Sequence, residues 1–453
     1  MSTSLTYVVI GGNAAGMSAA RRIRRNDAQA RIIVLEKSGI VSYGACGIPY
    51  FVADVIKNKD DLIALPLQKF LDDGIDVRLH HEAVEIDVRK KTVSFRAQGA
   101  DEIQKISYDR LILSLGARPV VPKIDGMDLN GVFTVRSLDG AEKLKQELQS
   151  GKHKKAVIIG AGYIGLEMAE ALRVHGVEVT IVELLPQVLP TMDTDMAELV
   201  KEELEKNGCT VKTGNEVVKI TGGSGATGVV LKNGEQLEAS LVLVTVGVRP
   251  NAELAAKAGI QLGATGAIAV DSRMRTNVRN VFAAGDCAEV KNLITNKNEY
   301  IPLGNTANKQ GRIAGDNASG GHSSLSGVVG NTAVKVFGLE VGRAGITEAY
   351  ADRLKMPVKS VKIKSRTEAH YMPNSKPIHI KLIFDVNTGR LLGTQMVGGE
   401  NVSIRMDVLA TAMQQKMTVM DVAQLDLNYA PPFAPVWEPI LIAANQAVKL
   451  VRK

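Results

Sequence analysis

A short motif that occurs twice constrains the fold more than any other feature of the sequence. Its first copy begins with the apolar, β-branched run Leu5 to Ile10, followed by the turn Gly11 to Gly16 and the helix-forming residues Met17 to Arg25. A second apolar run, Arg31 to Leu35, ends at Glu36. This order predicts a strand, a turn, a helix and a parallel strand within about thirty residues, which is a βαβ unit.

The same order of elements returns further along the chain. Ala156 to Ile159 is followed by the turn Gly160 to Gly165, the helix-forming residues Leu166 to His175, and the strand Glu178 to Val182, which ends at Glu183. In such turns, glycines let the backbone approach a pyrophosphate at a helix N-terminus, and the acidic residue binds ribose hydroxyls. The repeat therefore indicates two dinucleotide-binding domains, which we interpret as one inserted into the other.

The rest of the chain differs from this pattern. Beyond residue 325, strand-like segments such as Ile378 to Phe384 and Leu391 to Val397 precede a helical segment, Val402 to Gln415. This pattern predicts a C-terminal α+β domain. A hydrophobic fraction of 45% and a charged fraction of 23% are typical of globular proteins, and 453 residues suit two to four domains.

Charge, aromatic content and cysteine usage limit the partners and the compartment. One Trp, nine Tyr and eight Phe argue against an aromatic nucleic-acid platform, whereas a net charge of +7 fits anionic small molecules. Cys46, Cys209 and Cys287 are too few for a disulfide framework, which favours a reducing cytoplasm. We expect neither a signal peptide nor a membrane span, since no basic leader and no apolar run of about 18 residues occur. No metal site is predicted.

The two turns predict different ligands. Gly160, Gly162 and Gly165 give the complete glycine fingerprint, and Glu183 would accept from a free 2′-hydroxyl and repel a 2′-phosphate, so NADH is favoured over NADPH. In the first turn Asn13 replaces the middle glycine, a change that asparagine's tolerance of left-handed backbone partly accommodates. Two such domains favour one exchangeable and one tightly held dinucleotide, which can pass hydride through a flavin, so the first turn is expected to hold FAD.

Further segments resemble a known family. Residues 108–117, 246–250 and 276–286 resemble the two-dinucleotide flavoprotein reductases, and residues 42–50, with sequence SYGACGIPY, resemble their single-cysteine branch. That branch of the FAD-dependent pyridine nucleotide-disulfide oxidoreductases includes coenzyme A-disulfide reductases and NADH-dependent sulfur reductases. The similarity runs from end to end and includes residues 370–373 and 428–435.

The resemblance implies a domain order and a set of partners. It implies an FAD-binding domain at residues 1–118 and 251–324, an NAD(P)H-binding domain at 119–250, and a dimerisation domain at 325–453. The expected fold class is α/β, with two Rossmann-like domains, the NADH domain inserted in the FAD domain, and a C-terminal α+β dimerisation domain. FAD, NADH or alternatively NADPH, and coenzyme A are the expected ligands of a homodimer with shared active sites.

The turns and the family motifs together give the expected cofactor contacts. Tyr163 would cover the nicotinamide face of the flavin and move when NADH enters, and Glu167 would lie near that pocket. Asp286 would reach the ribityl and pyrophosphate region. The expected contacts are Gly11, Asn13, Ala15, Gly16, Glu36, Lys37, Val84, Gly116, Asp286, Ala307, Gly160, Gly162, Tyr163, Ile164, Gly165, Glu167, Glu183 and Gly247.

Cys46 is the expected redox centre. Relatives with paired cysteines carry the second one where this chain has Phe51, so no internal disulfide can form there. A lone redox cysteine stores two electrons as a mixed disulfide with an outside thiol or as a sulfenic acid. We expect Cys209 and Cys287 to be structural. The resemblance implies that Tyr371 and Tyr429 of the partner subunit protonate or hydrogen-bond the leaving thiolate.

The substrate contacts are expected on the first helix and beside Cys46. Ser18, Arg22 and Arg25 share one face of the helix and could anchor the phosphates of coenzyme A. The resemblance implies substrate contacts at Ser18, Arg25 and Ser42, and Tyr371 is also expected to bind the substrate. The alternative is that these arginines only complement the dipole at the helix end. Arg22 stands where the family has glutamine.

Several acceptors stay open at this stage. Coenzyme A disulfide is our first hypothesis, and polysulfide or sulfur is the second. Oxygen ranks third, because oxygen-reducing relatives carry a histidine in the first turn and this chain has Asn13, Ala14 and Ala15 there. From a different class, the protein could pass electrons to a protein partner, or bind flavin as a non-catalytic sensor.

Overall fold

The computed structural model describes residues 4–452 as a chain of many short strands and twelve α-helices. The strands are β1 (Thr6–Ile10), β2 (Arg31–Leu35), β3 (Ile75–Arg78), β4 (His81–Asp87), β5 (Thr92–Ala97), β6 (Gln104–Ser107), β7 (Arg110–Leu113), β8 (Ala117–Pro119), β9 (Val132–Thr134), β10 (Lys155–Ile159), β11 (Glu178–Glu183), β12 (Cys209–Thr213), β13 (Val217–Gly222), β14 (Ala226–Leu231), β15 (Gln236–Glu238), β16 (Leu241–Val244), β17 (Val248–Pro250), β18 (Val281–Ala283), β19 (Val290–Lys291), β20 (Asn298–Glu299), β21 (Thr332–Val336), β22 (Leu339–Gly345), β23 (Val358–Arg366), β24 (Pro377–Asp385) and β25 (Leu391–Gly398).

The helices are α1 (Ala14–Asn26), α2 (Ile48–Val52), α3 (Leu67–Asp72), α4 (Leu138–Gln149), α5 (Tyr163–Val174), α6 (Thr194–Lys206), α7 (Glu253–Lys257), α8 (Gly304–Ala318), α9 (Glu348–Arg353), α10 (Val402–Gln414), α11 (Val419–Val422) and α12 (Pro439–Val448). Two single turns of 3-10 helix span Ala45–Gly47 and Lys59–Leu62. The chain forms two compact units. The first contains the residues up to Ile48, Ile56–Pro119 and Val248–Val328, and the second contains Pro49–Val55, Val120–Gly247 and the residues from Val329 onward.

The first unit is built on a five-stranded parallel sheet in the order β18-β7-β1-β2-β3. The central strands β1 and β2 are apolar and almost entirely buried, as parallel strands covered on both faces are. Helices α1 and α8 pack closely because α8 presents glycines to α1. A Cβ added at Gly311 would lie 2.2 Å from the carbonyl oxygen of Ala15. Strands β4, β5 and β6 form a separate antiparallel sheet.

The second unit contains two larger sheets. One is parallel, in the order β12-β11-β10-β16-β9, and repeats the arrangement of the first unit. The other is antiparallel, in the order β21-β22-β25-β24-β23, and every residue of its central strand β25 is buried. Helix α10 contributes Met406, Leu409 and Met413 to the buried core of this part.

The sequence-based fold prediction is confirmed in its main elements. Both βαβ units and the C-terminal α+β region are present, and the predicted strand Arg31–Leu35 has the observed bounds. The two helices predicted after the glycine turns begin three residues too late, since α1 begins at Ala14 and α5 at Tyr163, whereas the helix predicted from Val402 begins at the observed residue. Among residues 4–452, no helix is both long enough and apolar enough to cross a membrane.

Candidate active site

The first glycine turn is held by backbone geometry that only glycine allows. Gly11 has φ of +102°, and its N–H donates to the carbonyl oxygen of Leu35 at 2.8 Å. A Cβ added at Gly16 would lie 1.9 Å from the carbonyl oxygen of Gly11. The hydroxyl of Ser114 donates to the carbonyl oxygens of Ile10 and Gly11, at 2.8 and 2.9 Å. The turn is therefore fixed with the N-terminus of α1 directly behind it, which suits a pyrophosphate.

The second glycine turn repeats these contacts. Gly160 has φ of +102°, and a Cβ added at Gly165 would lie 2.2 Å from the carbonyl oxygen of Gly160. The hydroxyl of Thr245 takes the place of the Ser114 hydroxyl and donates to the carbonyl oxygens of Ile159 and Gly160, at 3.1 and 2.9 Å. A Cβ added at Gly162 would meet no protein atom within 4 Å. The space beside Gly162 is thus open for a ligand that approaches the backbone.

An acidic side chain is joined to each turn by the same hydrogen bonds. The carboxylate of Glu36 accepts from the N–H of Gly12 at 2.7 Å and from the N–H of Ser38 at 2.8 Å. The carboxylate of Glu183 accepts from the N–H of Ala161 at 2.7 Å and from that of Leu185 at 2.8 Å. A carboxylate oxygen can accept more than one hydrogen bond, so ribose hydroxyls can still be bound. Both turns fit a dinucleotide.

The remaining residues expected at the flavin lie in the first unit. Asp286 follows Gly285, whose N–H donates to the buried Gln310 side chain at 2.8 Å. A Cβ added at Gly285 would lie 2.9 Å from the Cβ of Ala15 and 3.6 Å from that of Ala307, so these two alanines flank the Asp286 turn. Gln310 was missed by sequence reasoning, since a polar residue on a helix gives no signal of its own. Lys37 is exposed, Val84 lies on β4, and Gly116 has φ of +66°.

The loop that carries Cys46 is hydrogen-bonded to the first glycine turn. The Asn13 side-chain oxygen accepts from the N–H of Tyr43 at 3.1 Å, and the N–H of Ser42 donates to the carbonyl oxygen of Gly12 at 3.0 Å. Ser42 has φ of 54°, in the left-handed region that residues other than glycine seldom adopt. Cys46 lies in the 3-10 turn Ala45–Gly47 with an exposed side chain. Its thiol is thus accessible on a loop fixed to the turn.

The helix after Cys46 is held by side chains that sequence reasoning missed. The Lys145 ammonium donates to the carbonyl oxygen of Phe51 at 2.8 Å, lies 2.8 Å from the Asp54 carboxylate, and sits 4.1 Å from the centre of the Phe51 ring. The imidazole of His175 donates to the carbonyl oxygen of Val52 at 2.7 Å. Lysine at a buried position of the amphipathic helix α4 is a signal that could have identified Lys145.

Glu167 is a partly buried acid on α5. Burial raises the pKa of its carboxyl to about 7, although the Tyr50 hydroxyl, which donates to it at 3.2 Å, acts in the opposite direction. The neighbouring Glu170 adds to the increase. Tyr163, at the start of the same helix, has its hydroxyl 3.3 Å from that of Thr191 and 3.2 Å from that of Thr332. Ile164 follows Tyr163, and Gly247 has φ of +104°.

Tyr371 and Tyr429 lie beside each other in the second unit. Their side chains are 62% and 48% exposed, and the hydrogen bond between them raises the pKa of Tyr371. The His370 ring stands edge-on to the Tyr371 ring at 5.2 Å. The two residues, 58 positions apart in the sequence, thus form one exposed phenol pair.

The arginines of α1 differ in how they are engaged. Arg22 lies 3.8 Å from the Asp316 carboxylate, and Arg24 donates to backbone carbonyls, including that of Gly74 at 2.8 Å. The Ser18 hydroxyl donates to Asn308 at 2.8 Å, whereas Arg25 is exposed. Arg25 is therefore the most accessible cation on the predicted face.

The other two cysteines are buried. Burial raises the pKa of both Cys209 and Cys287 to about 11, so neither forms a thiolate readily. The Cys287 thiol donates to the carbonyl oxygens of Leu113 and Ala284. These environments support a structural role for both residues.

Comparisons with known proteins agree with this geometry. Residues 5–311 match the family described as pyridine nucleotide-disulphide oxidoreductase, and residues 332–439 match its dimerisation domain. An NADH oxidase of Methanocaldococcus jannaschii is 36% identical over 98% of each chain. A CoA-dependent NAD(P)H sulfur oxidoreductase of Pyrococcus furiosus is 39% identical over 97% of this chain and 98% of its own.

A solved structure has the same fold. The reduced CoADR-RHD protein of Bacillus anthracis superposes with a TM-score of 0.96 and 35% identity, covering 99% of this chain and 81% of its own. Proteins of the matched family use FAD and NAD(P)H, and both dinucleotide turns described above fit such ligands. The chain belongs to the pyridine nucleotide-disulphide oxidoreductases and is an NAD(P)H-dependent flavoprotein.

Proposed function

We propose that the protein is a homodimeric NADH-dependent reductase of coenzyme A disulfide or of a coenzyme A persulfide, acting through Cys46. The observation that carries this proposal is an exposed thiol on a loop hydrogen-bonded to the first glycine turn, with Phe51 where paired-cysteine relatives have their second thiol. An accessible thiol, with a phenylalanine at the position where relatives carry the second cysteine, suits a mixed disulfide with an outside thiol. The name of the Pyrococcus furiosus relative, which includes coenzyme A, supports the choice of thiol.

The cofactor contacts follow from the two turns. Gly11, Asn13, Gly16 and Glu36 would hold FAD, and Gly160, Gly162, Gly165 and Glu183 would hold NADH. When bound there, FAD would supply a site for hydride acceptance from NADH and for transfer of the electron pair to a disulfide. Glu183 would select NADH, because a 2′-phosphate beside this carboxylate would be repelled.

The chain's own residues perform the sulfur chemistry in two steps. The Cys46 thiolate attacks one sulfur of the substrate disulfide, so the Cys46–substrate sulfur bond forms, the substrate S–S bond breaks, and one thiolate leaves. The electron pair from NADH then breaks the mixed disulfide, restoring the Cys46 thiolate and releasing the second thiolate. The hydride from NADH would supply the two electrons and one proton, and one further proton from solvent would complete the two thiols. Tyr371 and Tyr429 of the partner subunit would protonate the leaving thiolate.

The anionic part of the substrate would bind beside α1. Arg25 is exposed and Ser18 and Ser42 lie in the same unit, whereas Arg22 would have to exchange its Asp316 partner for a phosphate. The distance of 3.8 Å between Arg22 and Asp316 indicates a loose pair that a phosphate could displace. This assignment rests on the resemblance stated above.

A persulfide or polysulfide is the second candidate acceptor. The name of the Pyrococcus furiosus relative favours it, and the same Cys46 chemistry would serve it. Oxygen, suggested by the name of the Methanocaldococcus jannaschii relative, has less support here, because oxygen-reducing relatives carry a histidine in the first glycine turn and this chain has Asn13, Ala14 and Ala15 there.

The decisive experiment is the intact mass of the protein purified without reductant, measured under denaturing conditions before and after dithiothreitol. We expect an adduct with the mass of coenzyme A that dithiothreitol removes and that is missing from a Cys46→Ser variant. A Cys209→Ser variant, which changes a buried thiol, should retain the adduct. A sulfur increment at Cys46 would favour persulfide reduction, and an oxygen increment would favour oxygen chemistry. A Cys46→Ser variant with full disulfide-reductase turnover would refute the proposal.

A further inference from the structure

The two tyrosines lie on segments without regular secondary structure. Tyr371 belongs to the loop between β23 and β24, and Tyr429 belongs to the stretch between α11 and α12. The two backbones meet at one hydrogen bond, from the N–H of Ala369 to the carbonyl oxygen of Pro431 at 3.1 Å. Two exposed side chains on such segments keep a constant distance from each other only when a buried group is bonded to both segments.

Arg405 lies beneath both segments. Its guanidinium, on α10, is 7% exposed and donates to the carbonyl oxygen of Thr367 at 3.0 Å and to that of Phe433 at 3.5 Å. Thr367 precedes Tyr371 by four residues, and Phe433 follows Tyr429 by four. One buried side chain therefore joins the two backbones that carry the phenol pair.

The orientation of the guanidinium is itself fixed. Arg405 forms a buried ion pair with Glu438, and it donates to the carbonyl oxygen of Asn401, the residue that precedes its own helix, at 3.4 Å. The second carboxylate oxygen of Glu438 accepts from the N–H of Ile440 at 2.5 Å and caps α12. A planar guanidinium bonded to several partners at once fixes the distances between those partners.

We propose that Arg405 is a positioning residue that holds Tyr371 and Tyr429 in hydrogen-bonding contact, and that it thereby sets the pH range in which this pair can donate a proton. The proposal rests on the function proposed above, since it assumes that the tyrosine pair protonates a leaving thiolate.

The consequence for pH follows from the contact between the phenols. Their hydrogen bond raises the pKa of Tyr371. A proton donor works below its pKa and fails as pH rises through it, so turnover should fall at high pH. If the phenols separate, the pKa of Tyr371 returns toward its usual value, and the alkaline decline moves to lower pH.

The test compares Arg405→Gln and Arg405→Lys in the full-length, FAD-loaded enzyme. Two assays are run on each: NADH-dependent reduction of coenzyme A disulfide across pH, and NADH-dependent reduction of ferricyanide, which takes electrons without the phenol pair. We expect Arg405→Gln to lower kcat for the disulfide about tenfold and to shift the alkaline limb to lower pH, with ferricyanide reduction unchanged. Arg405→Lys keeps the positive charge beside Glu438, but a lysine ammonium cannot reach both carbonyl oxygens. We therefore expect the same shift of the alkaline limb in Arg405→Lys, which serves as the test variant if Arg405→Gln does not fold.

Double variants separate positioning from general stabilisation. In a Tyr371→Phe, Tyr429→Phe background, Arg405→Gln should have no further effect on kcat, because the pair it positions is gone. Lys381→Met removes another buried cation of the same unit and should leave the alkaline limb in place.

Two results would overturn the proposal. One is an Arg405→Gln effect of equal size with and without the tyrosines, and the other is normal turnover of the tyrosine variants themselves. The second result would also remove the tyrosines from the proposed mechanism but would leave the mass test of Cys46 unaffected.

Discussion

The two glycine turns share their framework and differ at one position. Both use a glycine with φ of +102°, a hydroxyl that caps the turn, and an acid that accepts from the turn's N–H groups. The middle position is Gly162 in the second turn, with open space around it, and Asn13 in the first, with its side chain joined to Tyr43. The space beside Gly162 leaves room for a ligand to approach the backbone of the second turn. In the first turn, the Asn13 side chain occupies the corresponding position and contacts the loop that carries Cys46.

The largest expected effect comes from closing each turn in a matched pair of variants. In Gly16→Ala the new Cβ would lie 1.9 Å from the Gly11 carbonyl oxygen, and in Gly165→Ala it would lie 2.2 Å from that of Gly160. We expect Gly16→Ala to lose FAD and with it all NADH oxidation, whereas Gly165→Ala should keep FAD and lose NADH binding. Flavin absorbance after gel filtration and NADH titration measure the two effects. Loss of FAD in both variants would contradict the assignment of separate ligands.

The second prediction concerns the residue two positions after the last glycine of each turn. This residue is Ser18 in the first unit and the partly buried acid Glu167 in the second. Because the folded state raises the pKa of Glu167 from 4.5 to about 7, it binds the proton more tightly than the unfolded state does. Its contribution to stability is therefore present below pH 4.5 and is lost as pH rises through about 7.

Glu167→Gln should abolish this loss. At pH 8 the variant should be more stable than the parent by up to roughly 3 kcal/mol, with little difference near pH 4.5. Denaturant unfolding at several pH values measures the effect, and Glu178→Gln, at the exposed first position of β11 in the same unit, is the control. Parallel pH profiles for the parent and Glu167→Gln would show that the carboxyl is not neutral in the folded protein.

The smallest expected effect tests the contact that distinguishes the first turn. Asn13→Gly restores the usual glycine but leaves the N–H of Tyr43 without its side-chain acceptor. We expect FAD to stay bound and disulfide turnover to fall about fivefold, since one hydrogen bond contributes about 1 kcal/mol. Ferricyanide reduction should not change. Gly162→Ala is the matched control, for which we expect weaker NADH binding and normal Cys46 reactivity. Unchanged turnover in Asn13→Gly would show that the hydrogen bond between Asn13 and Tyr43 does not matter for the reaction.

The parts of the molecule with a repeating local pattern were predictable, and the parts held by distant contacts were not. The run Gly160 to Glu183 specifies strand, turn, helix and acid because each is encoded by neighbouring residues. The substitution at Asn13 was visible in the sequence, but its partner Tyr43 was not. Lys145 and Arg405 gave no local signal that connected them to Phe51 or to the tyrosines, because their partners lie on segments far away in the chain.

Phe51 has a consequence for how the enzyme withstands damage. An enzyme with two neighbouring thiols can repair an oxidised cysteine by closing its own disulfide, but the aromatic ring at this position removes that route. Recovery of Cys46 from attack by peroxide would then depend on a thiol arriving from solution. The time for which the enzyme stays active would depend on the concentration of reduced thiol around it. The thiols that it helps to keep reduced would therefore also protect Cys46.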